Sequence, residues 1–84
     1  MSRSIYILNV TYVGFFSNNT DIKFEKILGK QVDGSGYGYG RRDISFWYGT
    51  KKAMLSARRK IYRAKAKGIK LPKYVMEISH FTTL

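Results

Sequence analysis

Between Gly49 and Gly68 the chain holds one run at helical period, and the need to cover that run's apolar face constrains everything around it. Thr50 has the side chain of an N-cap, while Gly68 with Pro72 soon after marks a stop, so the spacing predicts a helix over residues 51–67. Ala53, Met54, Ala57, Ile61 and Ala64 recur on one face, where small alanines allow close approach to a sheet. Leu55, Tyr62 and Ala66 form a side stripe, and Lys52, Ser56, Arg59, Arg63 and Lys67 recur on the opposite face.

The remaining segments supply that sheet. Residues 4–16 alternate as a long strand, with Tyr6, Leu8, Val10 and Tyr12 on one side and Ile5, Ile7, Asn9, Thr11 and Val13 on the other. Both sides are partly apolar, as in a central strand, and Asn9 and Thr11 mark its solvent side. Ser17, Asn18, Asn19, Thr20 and Asp21 have turn chemistry, and a second strand is expected at about 22–32, with Ile22 and Phe24 on one face and Gly29 at a bulge. The segment 34–40, Gly-Ser-Gly-Tyr-Gly-Tyr-Gly, reads as a flexible loop. A third strand follows at 43–48 and a last one at about 74–81. Trp47 and Tyr48 fall on opposite faces, one for the core and the other for stacking or a dimer contact. The expected fold is α+β: a four-stranded, mainly antiparallel sheet in the chain order βββαβ, with one basic amphipathic helix packed on it.

An 84-residue chain supports one domain, here residues 1–84, and 44% apolar content is enough for a small core and too much for a disordered tail. Without cysteine there is no disulfide framework, thiolate metal site or cysteine nucleophile, and a cytoplasmic setting is the default. No apolar run is long enough for a membrane span, and the alternating first residues read as mature protein.

Charge points to the partner class. Sixteen Lys and Arg oppose five Asp and Glu, a net +11, and no acid occurs between Asp43 and Glu77. A fold needs only the helix's apolar face; it does not need Lys52, Arg58, Arg59, Lys60, Arg63, Lys65 and Lys67 unopposed. Cations at i,i+4 repel by a few tenths of a kcal/mol each, and phosphates relieve that repulsion while releasing counterions. The expected nucleic-acid-binding set is Lys52, Arg58, Arg59, Lys60, Arg63, Lys67 and Lys70 on and after the helix, with Arg41, Arg42, Tyr37 and Tyr39 from the glycine segment. There the tyrosines would stack on bases and the arginines clamp phosphates, which favours RNA with accessible bases. A solvated helix face and a hairpin with folded-back tyrosines are the bland alternatives.

Catalysis is not expected. The single His80 lies on the last strand, and the acids at 21, 25, 33, 43 and 77 have neither paired-carboxylate nor metal-ligand spacing. Neither a catalytic residue, a metal nor a cofactor is assigned. A small basic ribonuclease working through Tyr, Arg and Lys is a minor alternative, but toxins of that kind begin with helices and this chain begins with a strand.

The glycine-tyrosine segment resembles the glycine-aromatic signature of RNA-recognition-motif sheets, but that family's βαββαβ order asks for a second helix, and the assignment is set aside. The stretch ISFWYGTKKAMLSARRKIYRAK resembles the strand, Gly-Thr turn and alanine helix of AP2 and integrase-arm DNA-binding domains. Their sheet enters the major groove, so the resemblance implies a double-stranded DNA-binding module as an alternative. In size, charge and cysteine-free make-up the whole chain resembles small basic accessory proteins of large-tailed bacteriophages. That resemblance implies an RNA-binding counter-defence factor, acting in host cytoplasm, that inhibits a host endoribonuclease toxin of a toxin–antitoxin system; it assigns no residue. The rival class is a protein-interaction inhibitor that binds an acidic host protein. A homodimer is compatible with the two-sided first strand and the spare aromatics, and no membrane partner is expected.

Overall fold

The computed structural model describes residues 3–13 and 18–83. Its elements are β1 (Arg3–Val13), α1 (Asn18–Leu28), β2 (Gly34–Gly38), β3 (Arg41–Tyr48), α2 (Lys51–Ala66) and β4 (Tyr74–Thr83). The expected strand end at 14–16 and the turn residue Ser17 lie outside the described residues. All strand pairs are antiparallel, in the sheet order β2-β3-β1-β4. The α+β class and the four-stranded antiparallel sheet are as expected, but the chain order is βαββαβ with two helices, not βββαβ with one. This is the split βαβ arrangement of ferredoxin-like folds, and the ground for setting aside the RNA-recognition-motif layout falls with the second helix. The three-stranded-sheet-plus-one-helix layout of AP2 domains is not the arrangement of this chain.

The extra helix, α1, replaces the strand expected at 22–32 and most of the expected turn. Ile22 and Phe24 alternate like a strand, yet Asp21, Phe24 and Leu28 are the buried positions and Ile22 is exposed, a helical spacing. Asp21 sits in the first turn and Lys26 in the last, matching the helix dipole. Gly29, at φ 72°, closes the helix, with its N–H and that of Lys30 donating to the Glu25 carbonyl at 2.8 and 3.2 Å. The Glu25 carboxylate then accepts from the Val32 N–H at 2.9 Å, turning the chain into β2.

The glycine segment is regular structure, contrary to expectation. Gly34, Gly36 and Gly38 pair with Ser45, Asp43 and Arg41, while Ser35 and Tyr37 pair with Ile44 and Arg42. Glycine at every second residue is therefore strand alternation that leaves one face bare. Tyr39 (φ 53°) and Gly40 (φ 73°) form the two-residue hairpin turn, both at the positive φ a type I′ turn requires.

Both helices pack on one face of the sheet. Leu8, Val10 and Tyr12 from β1, with Ile44 and Phe46 from β3, meet Phe24 and Leu28 of α1 and Met54, Ala57 and Ile61 of α2. Phe24 stacks on Tyr12 with centroids 6.0 Å apart and meets Tyr74 edge-on at 5.8 Å. Thr50 caps α2 as expected, its hydroxyl accepting from the Ala53 N–H at 3.1 Å. Ala53, placed on the inner face by its spacing, is exposed, whereas Met54, Ala57, Ile61 and Ala64 are buried.

The opposite sheet face is uncovered. Trp47, Val75 and Phe81 are exposed there beside Ile5 and Ile7, and Tyr48 turns toward the helices. Asn9 and Thr11 are on this solvent side as expected, Asn9 donating to Ser79 Oγ at 3.1 Å and Thr11 to Asp43 Oδ1 at 2.6 Å. Among the described residues, no helix is long and apolar enough to cross a membrane.

Candidate nucleic-acid interface

Because 54, 57, 61 and 64 turn inward, the cations of α2 must project elsewhere, and those after Lys51 divide into three groups. Lys52 and Arg59 are exposed on the outer surface of the helix. Lys60, Arg63 and Lys67 line an open groove against α1, together with Ala64, Ile27 and Ile69. Arg58 and Lys65 lie on the third side. There the Lys65 ammonium sits 5.2 Å from the centre of the Tyr74 ring, and half-buried Arg58 has an Nε without a hydrogen-bond partner.

The inter-helix groove has no acidic lining residue. Helix α1, absent from the sequence expectation, is what gives it a second wall. Lys23, one turn before Ile27, donates from Nζ to the Lys70 carbonyl at 3.2 Å, which brings its ammonium group to the segment that follows α2. Glu25, the carboxylate of α1 nearest in sequence, is tied to Val32 N on the far side of that helix. The α2 C-terminus carries the negative end of the helix dipole, so Arg63 and Lys65 are favourably placed in the last turn.

A second concavity lies at the same end of the molecule, lined by Arg41, Lys73, Tyr74, Val75 and Glu77 with Thr11 and Val13. The segment 69–73 joins the two: Ile69 lines the first and Lys73 the second. The Lys73 carbonyl accepts from the Val13 N–H at 3.2 Å and holds that segment to the sheet.

The two arginines expected to clamp phosphate together do not converge. Consecutive residues of a strand point to opposite faces, so Arg41 is exposed on the open face while Arg42 turns to the helix side. There Arg42 Nη2 pairs with Asp21 Oδ2 at 2.8 Å, with both side chains largely buried. Tyr37 is on the helix-side face of β2 and half exposed, and Tyr39 projects fully into solvent from the turn. Lys70 is exposed after α2. His80 stacks flat on Tyr6, with ring centroids 4.4 Å apart.

Two signals in the sequence pointed to what was missed. Asp21, Phe24 and Leu28 recur at helical spacing, and alternating glycines have strand period. The open sheet face also departs from an RNA-recognition motif. Its central strands present Trp47 as their only aromatic there, with Asp43 and Ser45 at the neighbouring β3 positions, whereas that family stacks bases on several sheet aromatics. Compared with known proteins, the chain matches no family model and no curated sequence.

Proposed function

We propose that this protein binds nucleic acid, RNA in preference to double-stranded DNA, through its helical layer. The observation that carries the reading is the acid-free groove between α1 and α2, lined by Lys60, Arg63 and Lys67 together with the apolar Ile27, Ala64 and Ile69. A phosphate backbone lying there is neutralised by these three cations, with Lys23 and Lys70 nearby, and releases its own condensed counterions. Lys52 and Arg59 extend the track along α2. At the same end, Tyr39 is a solvent-projecting ring near Arg41, suited to stacking on an unpaired base, which is the reason for favouring RNA. The role is binding rather than catalysis. In the biological setting that its resemblance to small basic phage accessory proteins implies, the protein acts in the host cytoplasm as a counter-defence factor that inhibits a host endoribonuclease toxin through RNA.

Fluorescence anisotropy with matched single-stranded RNA, double-stranded RNA and double-stranded DNA at two salt concentrations tests this. The expected result is steeply salt-dependent binding that favours RNA, lost in the K60E/R63E/K67E variant. Absence of binding to all three overturns the reading and leaves an acidic host protein as the partner of the groove.

A further inference from the structure

The uncovered sheet face differs from the rest of the surface in charge. It carries Arg3 and Arg41 against Asp43 and Glu77, an even balance, although the chain as a whole is +11. A polyanion gains little there. Two copies of this chain, which repel wherever their helical layers approach, can meet on this face at little Coulomb cost.

Its other properties fit burial. Ile5, Ile7, Trp47 and Phe81 form a shallow recess with an entirely apolar lining. Trp47 and Phe81 remain 45% and 56% exposed, large aromatic area left in water. Two polar pairs at mid-face are already bonded across strands, Asn9 with Ser79 and Thr11 with Asp43, which lowers the cost of covering them. A surface built to read bases would hold such donors and acceptors open. Four strands spaced about 4.8 Å apart and averaging roughly 28 Å long present about 500 Å² per copy. Face-to-face contact therefore covers about 1,000 Å², the lower bound for a specific interface.

We propose that the open sheet face is a homodimer interface, two copies packing sheet to sheet around Trp47 and Phe81. The helical layers then lie outermost and point in opposite directions. Resting on the RNA-binding reading above, the dimer holds one RNA on each side and bridges two strands or two segments of one strand.

Sedimentation of the nuclease-treated protein at high salt, in the tens of micromolar, measures the dimer without RNA. The wild type should sediment as a dimer, and W47E and F81E as monomers with unchanged circular dichroism. A monomeric wild type, or a dimer that persists in both folded variants, overturns the proposal. If W47E unfolds, F81E at the rim of the recess and on an edge strand carries the test. Bridging is read by capturing a biotinylated RNA and counting a second, fluorescent RNA retained with it. Wild type should retain it, and F81E should bind the first RNA about as well but retain at least tenfold less of the second. A dimer that binds no RNA sinks the RNA reading and leaves the interface standing. RNA affinity lost in F81E from a monomeric wild type makes this face a nucleic-acid surface instead.

Discussion

The Tyr12 hydroxyl donates to Asp21 Oδ1 at 2.6 Å, joining an inner strand of the sheet to the first turn of α1. Asp21 Oδ2 accepts from Arg42 at 2.8 Å, so one carboxylate fastens β1, α1 and β3. Asp21 is the buried charged residue of the described structure, at 8% exposure, and its two partners account for both its oxygens. Asp21→Ala takes the carboxylate partner from the Arg42 guanidinium and the acceptor from the Tyr12 hydroxyl. The expected cost is about 2–4 kcal/mol, read as a lower urea midpoint with unchanged slope. Asp43→Ala, which breaks an exposed pair with Thr11, should cost under about 1 kcal/mol in the same assay.

The same contact sets an alkaline limit on stability. Burial, then the hydrogen bond to Asp21, pushes the Tyr12 hydroxyl up to about 12 from the ordinary 10.0. The folded pKa is the higher one, so this contribution is complete below pH 10 and is lost as pH rises through 12. A shift of that size corresponds to roughly 2–3 kcal/mol. Urea midpoints should fall between those pH values in the wild type and fall less in Tyr12→Phe, measured against each protein's own value near neutrality.

Reversing charge on α2 should separate binding from folding. Arg59 and Arg63 are exposed, so R59E/R63E should keep the helical spectrum and change stability by no more than about 0.5 kcal/mol. RNA binding should become undetectable at moderate salt. Ile61→Asp should do the opposite and unfold the domain, because it places a carboxylate at a position with no solvent exposure.

Tyr39 offers a substitution whose two effects have opposite sign. A tyrosine at φ 53° is strained where asparagine is tolerated, so Tyr39→Asn should stabilise the hairpin by a few tenths of a kcal/mol. The lost ring should weaken single-stranded RNA binding by about 1–3 kcal/mol while leaving double-stranded RNA nearly unaffected. Thermal melts and paired anisotropy titrations check the two halves.

Helix α2 was legible in the sequence because its signals are local: a threonine cap, a glycine stop and an inward face between them. Helix α1 was not. Asn18, Asn19, Thr20 and Asp21 suit a turn and a helix start alike, and Ile22 with Phe24 reads as a strand until Leu28 is known to be buried with Phe24. Asp21 shows the deeper limit, since its purpose depends on Tyr12 and Arg42, which only the folded sheet brings to it. The cations of the candidate interface were visible as a group. Their division among a groove, an outer surface and the Tyr74 side depends on where α1 lies, and the parting of Arg41 from Arg42 follows once the preceding glycines are recognised as strand.

The position of β1 in the sheet has a consequence for synthesis. Its residues pair with β3 on one side and with β4 on the other, so that Asn9 meets Ser79, 70 residues later. A growing chain therefore carries its most apolar strand with one edge unpaired until β4 has left the ribosome. Vectorial folding gains little in such a molecule, and the nascent chain has reason to be shielded by a chaperone or delayed in its collapse.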